Sequence, residues 1–278
     1  MVVRTNVFAL NAHRNMKNVG LEQGRASSRL ASGYRINSAA DDAAGLAISE
    51  TMRAQIRGLD QASRNAQDGQ ALIQTTEGGM QEITNMLQRA RELLVQSSND
   101  TNVSVNRTQI NQELTQLATE ISSMQTRVEF NTRSVLNTDD TMWVQTGANS
   151  GQGMEVSLAG IKSVITNAAT AVTDAAAANT GETTGQTVSN QINNIQTQLD
   201  AVNLERSRLG AMQNRLDYTA RSLDISSENL SDSESRVRNA DMAREMMRFT
   251  MANVLQQASV SMLAQANQLP NNLLQVLR

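Results

Sequence analysis

A seven-residue repeat of apolar side chains is the feature that most limits what this sequence can fold into. One series runs from Met52 to Leu94 and another from Val188 to Leu230, with an apolar residue at each seventh position. Between them, residues 110–128 carry apolar side chains at alternating steps of four and three. A heptad pattern kept over this many turns is typical of helices that pack side by side in a coiled coil. The sequence therefore predicts a mostly α fold, a long antiparallel helical rod.

Breaks in the repeat divide the chain into elements. The stretch "SSNDTNVS" is rich in small polar turn formers. A connection this short predicts that helices over 43–98 and 104–128 are antiparallel neighbours. Further on, two β-prone runs flank a glycine-containing turn and predict a small β-hairpin at about 142–158. Residues 163–187 are low-complexity Ala, Thr and Asn without an apolar period, so we interpret about 160–187 as a surface or variable segment whose helical content the sequence leaves open.

The two ends of the chain are also amphipathic, and the C-terminal end is the stronger case. Within residues 251–278, apolar side chains follow steps of three and four. A lone helix cannot bury such a stripe, so we expect this tail to be disordered alone and to fold against partner surfaces. Pro270 lies inside the run and should end or kink the helix. The residues that we assign to a polymerisation tail are Met251, Leu255, Met262, Leu269 and Leu273.

The residue types that most enzymes need are scarce. The chain has no cysteine and a single histidine, His13. Thiolate and histidine metal sites, disulfides and a serine–histidine–aspartate triad are therefore excluded. The net charge of −3 gives no basic footprint for nucleic acid, and no apolar run is long enough to span a membrane. We expect no catalytic, cofactor or metal site, and no cleaved signal peptide at the N-terminus.

The stretch "SGYRINSAADDAAGLAISE" contains adjacent carboxylates, Asp41 and Asp42, but reads better as a joint than as an acidic site. Neighbouring side chains point in different directions, so the two aspartates do not suggest an acid–base pair. Gly33 suits a helix C-terminus, where a positive φ is often needed. Ser38, Asp41 or Asp42 can cap the N-terminus of the following helix. We assign Gly33, Asp41 and Asp42 to a helix joint.

Both ends of the sequence resemble bacterial flagellins, the subunits of the flagellar filament. The N-terminal resemblance rests on "NVFALNAHRN", on "SSRLASGYRINSAADDAAGLAISETMRAQIRGLDQ" with its continuation, and on "LQRARELLVQSSND". The C-terminal resemblance rests on "LGAMQNRLDYT", "SENLSDSESRVRNADMAREM" and "SMLAQANQLPNNLLQVLR". Together these stretches fall in residues 1–130 and 190–278. The matches at both ends, in order, make the resemblance specific.

The resemblance implies two core domains without large outer ones. Residues 1–32 and 242–278 would form an inner domain of paired terminal helices. Residues 45–235 would form the outer helical rod, with linkers at 33–44 and 236–241. The outermost domains of longer flagellins would fall between residues 160 and 187, where this chain has little room.

The resemblance also implies partners and a location. It implies a homopolymer with other copies of the chain in a secreted, extracellular flagellum that serves swimming motility. Export would proceed through the flagellar type III apparatus with an export chaperone, and filament cap and junction proteins would be further partners. In flagellins sensed by the vertebrate toll-like flagellin receptor, a pattern that Arg89, Leu93 and Glu113 match makes the main contact. Assembly contacts between subunits are the interpretation we favour for these three residues.

Two other functions are considered beside the filament subunit. A flagellar hook–filament junction protein shares flagellin-like ends, but such relatives match more weakly in the segments 33–60 and 260–278. A hydrolase or binding module in the middle of the chain is disfavoured because residues 131–187 are short and poor in titratable side chains. Copy number in the flagellum would separate the first alternative, and catalysis by the purified chain would revive the second.

Overall fold

The computed structural model describes the backbone of residues 6–179 and 185–276, and the side chains as far as residue 268. This part of the chain is mostly α-helical, with four short strands in two antiparallel pairs. The long helices begin and end within one residue of the predicted 43–98 and 104–128. The helices are α1 Val7–Ser32, α2 Ala43–Ser97, α3 Ser104–Arg127, α4 Ile161–Ala178, α5 Gly185–Arg238 and α6 Met242–Val276. The strands are β1 Glu129–Phe130, β2 Arg133–Ser134, β3 Thr141–Gln145 and β4 Gly153–Ser157.

Contacts divide the chain into two units, which are described separately. Unit 1 comprises Met1–Ile56 and Glu228–Arg278, and unit 2 comprises Arg57–Ser227. In unit 2 the predicted apolar series form the core. Ten members of the two seven-residue series are fully buried: Ala66, Ile73, Met80, Leu87, Leu94, Val188, Ile195, Val202, Leu209 and Leu216.

The helices of unit 2 run antiparallel where polar contacts mark their pairing. Arg206 of α5 donates to Glu77 of α2 at 2.8 Å, and Ser63 of α2 donates to Asp224 of α5 at 2.7 Å. Where residue numbers fall along α2, those of its partners on α5 rise, so the two helices are antiparallel. The heptad repeat therefore brings two distant parts of the sequence together, as a coiled-coil pattern predicts.

The segment interpreted as surface or variable, whose helical content the sequence left open, contains a helix with one face buried in the core of unit 2. Helix α4 covers residues 161–178, and Gln125 of α3 donates to Thr166 of α4 at 2.9 Å. The buried face repeats at steps of four and three, but five of its eight residues are alanine. These small side chains hid the period, because alanine is also common on the exposed face of a helix and so marks a core position less clearly than leucine or isoleucine. The buried residues of α4 are Ile161, Ile165, Ala168, Ala169, Ala171, Val172, Ala175 and Ala176.

The predicted hairpin is confirmed as the pair β3–β4, in which Trp143 lies opposite Glu155. Its inward side buries Met154 and Val156 against the helical core. A second, two-residue pair, β1–β2, was not predicted. Its turn places Asn131 and Thr132 at positive φ, at 49° and 65°.

A polar cluster, buried at Ser97, Arg107 and Asn179, joins the ends of four helices in unit 2. Ser97, the last residue of α2, donates to the side-chain oxygen of Asn179, which lies just after α4. The amide of Asn179 donates in turn to the carbonyl of Arg107 on α3 at 3.3 Å. Arg107 reaches Asp100 at 2.9 Å, and Asp100 also accepts from the backbone of Gly185 at the start of α5. The Arg107 guanidinium and the Gly185 N–H lower the pKa of Asp100.

Unit 1 contains the two terminal helices, α1 and α6, which pack against each other. The sequence predicts that Pro270 ends or kinks the helix; the helix does not end there, because α6 continues to Val276. A proline inside a helix leaves one carbonyl without its donor. The side chain of Asn6, the N-cap of α1, supplies the missing donor.

Candidate assembly surface

The joint between α1 and α2 has the backbone that its sequence predicts. Gly33 ends α1 at φ 75°, and its N–H donates to the carbonyl of Arg29 at 2.8 Å. Asp42 caps α2, because its Oδ1 accepts from the N–H of Gly45 at 2.8 Å. Asp41 instead closes the turn before it, accepting from the backbone and hydroxyl of Ser38 at 3.1 Å. The backbone donation from Ser38 lowers the pKa of Asp41.

Two chain segments, 33–35 and 238–240, run antiparallel at this joint and form hydrogen bonds with each other. The N–H of Arg35 donates to the carbonyl of Arg238 at 2.7 Å, and the N–H of Ala240 donates to the carbonyl of Gly33 at 2.9 Å. The guanidinium of Arg238 lies over the ring of Tyr34, 4.7 Å from its centroid, and donates to Glu50 at 2.5 Å. This hydrogen bond lowers the pKa of Glu50. Sequence reasoning missed this pairing, because its partners are about two hundred residues apart.

Polar contacts follow the seam between α1 and α6. Gln23 donates to Asn253 at 2.6 Å, and Arg29 reaches the carboxylate of Glu245 at 3.4 Å. Glu245 is buried and also pairs with Arg248 of its own helix at 2.9 Å. As the residue numbers rise along α1 they fall along α6, so the two helices are antiparallel.

Beside this seam, α6 presents an apolar stripe to solvent. Met251 is 65% exposed and Met262 is 64% exposed, whereas Ala252 and Ala266 on the α1 side are buried. Stripe members recur at steps of three and four, the spacing of one helix face. Large exposed apolar patches mark interaction surfaces. The described stripe consists of Met247, Met251, Val254, Leu255 and Met262. Leu269 and Leu273, the other predicted tail residues, lie outside the described side chains.

The three residues predicted as a subunit or receptor interface lie in unit 2 in two different environments. Arg89 and Glu113 form an exposed ion pair between α2 and α3, with a distance of 2.8 Å. Arg89 also reaches Glu92 at 3.4 Å. Leu93, by contrast, is only 2% exposed and belongs to the core. The structure thus brings Arg89 and Glu113 together at the surface and places Leu93 beneath it.

The described residues contain neither a candidate metal site nor a helix that could span a membrane. Among residues 6–179 and 185–276, no group of three or more acidic or histidine side chains has the arrangement of a metal site. No helix in the same residues has the length and hydropathy needed to cross a membrane.

Sequence comparison with known proteins identifies the family to which this chain belongs. The sequence model of the bacterial flagellin N-terminal helical region matches residues 3–141, and that of the C-terminal helical region matches residues 192–277. A flagellin from Halalkalibacterium halodurans is 52% identical over the full length of both chains. A flagellin from Salmonella paratyphi A is 46% identical over 162 residues, which are 58% of this chain and 33% of that one.

A solved structure shows the same fold at low sequence identity. A putative flagellar hook-associated protein from Vibrio parahaemolyticus matches with a TM-score of 0.64 at 12% identity, over 72% of this chain and all of that one. At this identity the likeness concerns the fold alone. The two family matches and the full-length relative carry the assignment: this chain belongs to the bacterial flagellin family.

Proposed function

We propose that this flagellin, a subunit of the flagellar filament, polymerises through its terminal helices α1 and α6. The observation that carries the proposal is the exposed stripe of α6, formed by methionine, valine and leucine side chains that α1 leaves uncovered. Burial of such side chains stabilises an assembly by about 1.5–3 kcal/mol each. Neighbouring copies of the chain are the partner that would cover the stripe.

The division of the subunit belongs to the same proposal. Residues 1–32 and 242–278 form the inner domain of the filament, residues 45–235 form the outer domain, and residues 33–44 and 236–241 are the linkers. The full-length identity to a flagellin favours the filament subunit over a hook–filament junction protein. Flagellin relatives are structural proteins, and we propose no catalytic role for this one.

Export and further partners complete the proposal. The chain leaves the cell through the flagellar export apparatus, escorted by a chaperone that covers the apolar tail, and becomes part of the extracellular flagellum beside cap and junction proteins. We also retain Arg89, Leu93 and Glu113 as the region of contact with neighbouring subunits and with the toll-like flagellin receptor. The exposed Arg89–Glu113 pair supports a surface role for those two residues.

Polymerisation of purified variants tests the role of the stripe. Met251→Glu places a charge on the stripe, and Gln257→Glu places the same charge on an exposed position of α6 away from it. We expect salt-induced filaments, seen by negative-stain electron microscopy, from the wild type and Gln257→Glu but not from Met251→Glu. A chain truncated at Met251 should stay soluble and helical and should also fail to polymerise. Normal filaments from either defective variant would contradict the proposal.

A further inference from the structure

We propose that Asn6 is a positioning residue that sets the register in which α1 and α6 pair, by completing a helical turn that Pro270 leaves open. This inference rests on the proposed role of the two helices in assembly. It concerns which residues stand opposite each other, and not whether the helices pair at all.

The first step is a carbonyl that lacks its usual donor. In an α-helix, the N–H of residue 270 would donate to the carbonyl of residue 266. Pro270 has no N–H, yet α6 continues past it to Val276. Ala266 is only 7% exposed, so bulk water has little access to replace the missing donor. The side-chain amide of Asn6 donates to the Ala266 carbonyl at 2.8 Å.

The second step is that the same Asn6 side chain caps the N-terminus of α1. The Oδ1 of Asn6 accepts from the N–H of Ala9 at 3.0 Å, which makes Asn6 the N-cap. Asparagine is among the best capping residues. One amide group therefore fixes the first turn of α1 with its oxygen and one turn of α6 with its nitrogen. The start of α1 is held opposite Ala266.

The third step is that packing between the helices selects a register only weakly. Among the described side chains of α1 and of α6 up to residue 268, the buried apolar ones are alanines: Ala26, Ala252 and Ala266. Small side chains interlock weakly, and the three- and four-residue steps of α6 repeat, so a shifted pairing would bury similar surfaces. A single polar group that needs one partner is the best-attested way to specify register in paired helices. Pro270 is the only proline in the chain, so it frees a carbonyl at one position only.

Other contacts agree with the register that Asn6 specifies. Gln23 meets Asn253, and Arg29 meets Glu245, further along the same antiparallel pair. These contacts lie near the other end of α1. Asn6 and Ala266 hold the end at which the described chain begins.

Two substitutions separate the two roles of Asn6, as the donor to the Ala266 carbonyl and as the N-cap of α1. Asn6→Asp keeps an oxygen for the N–H of Ala9 but loses the amide donor. Pro270→Ala gives residue 270 an N–H, so the Ala266 carbonyl gains a partner within α6. Asn11→Asp is the matched control, because it makes the same chemical change at an exposed site on α1.

The register of α1 against α6 is measured by cross-linking, and assembly is measured by the critical concentration for polymerisation. The chain has no cysteine, so Gln23→Cys with Asn253→Cys gives one pair for a short bismaleimide. We expect Asn6→Asp to reduce the cross-link yield several-fold and to raise the critical concentration about tenfold, because a buried carbonyl loses its partner. In the Pro270→Ala background the same change should alter both quantities less than about twofold. Asn11→Asp should match the wild type.

Two results would overturn the inference. One is an Asn6→Asp chain that behaves like Asn11→Asp. The other is an Asn6→Asp defect of equal size with and without Pro270→Ala, since the defect would then arise from the cap or the added charge. If the wild type itself does not polymerise, the proposed function fails, while the cross-link yield of the monomer still decides the role of Asn6.

Discussion

The indole ring of Trp143 lies directly against the backbone of Gly153 on the neighbouring strand. A Cβ at residue 153 would overlap the ring atoms Cε2, Cζ2 and Nε1. The ring donates from Nε1 to Gln145 at 3.2 Å, and it is 54% exposed. Glycine at position 153 is therefore required for the ring to lie flat on the hairpin.

The first prediction follows from this contact. Gly153→Ala should displace the ring and destabilise unit 2 by about 1–3 kcal/mol, the usual cost of overpacking. Trp143 is the only tryptophan, so its fluorescence reports the displacement directly. In contrast, Gly78→Ala on α2, where nothing lies within 4 Å of the new methyl group, should stabilise the helix by about 1 kcal/mol. Unchanged emission and stability in Gly153→Ala would show that the ring lies elsewhere.

The second prediction separates Leu93 from Arg89. Leu93→Ala should lower the free energy of unfolding by about 2–5 kcal/mol, because a buried leucine leaves a cavity. Arg89→Ala should lower it far less, because its ion pairs are exposed and screened by solvent. Urea unfolding measures both, with the exposed Val95→Ala as the control. A Leu93→Ala chain of wild-type stability would mean that the side chain is free to contact a partner.

The third prediction concerns the buried cluster around Asn179. Asn179→Ala should destabilise unit 2 by about 1–3 kcal/mol, because the carbonyl of Arg107 and the hydroxyl of Ser97 both lose a partner. Adding Ser97→Ala should cost less than it does alone, because its partner is already gone. Asn167→Ala, at an exposed position on α4, is the control. Strict additivity of the two changes would contradict the contact.

The fourth prediction is a pH dependence at the pairing of the two segments. Because the pKa of Glu50 is lowered in the folded protein, its pairing with Arg238 stabilises the protein above the unfolded pKa and is lost as the pH falls through the folded pKa. The stability difference between wild type and Glu50→Gln should therefore be present at neutral pH, begin to shrink near the ordinary glutamate pKa of about 4.3, and vanish below the lowered pKa of Glu50. Urea midpoints measured against pH test this.

The exposed Glu228→Gln in the same unit serves as the control for that titration. Its stability should follow the wild type from neutral to acid pH. A difference between Glu50→Gln and wild type that is unchanged at acid pH would assign the effect to packing of the side chain rather than to its charge.

The sequence predicted what depends on local pattern. The heptads located α2, α3 and the core face of α5, the Gly-containing turn located the hairpin, and the cap of α2 is Asp42, one of the three candidates that the joint offered. It did not reveal the contact of Asn6 with Ala266 or that of Arg238 with Tyr34, because partners so distant in sequence leave no periodic signal. Leu93 shows a further limit, since a pattern shared with relatives does not say which side of a helix the core covers.

Helix α4 has a consequence for how this part of the sequence can vary. Its alanines at 168, 171 and 175 are buried in the core of unit 2, and a closely packed core accommodates added methyl groups poorly. Larger residues at these three positions should therefore destabilise the unit. Asn167 and Thr170 lie on the exposed face and should accept substitution. An alanine-rich composition thus has a different meaning on each face of α4, and the two faces should tolerate change to different degrees.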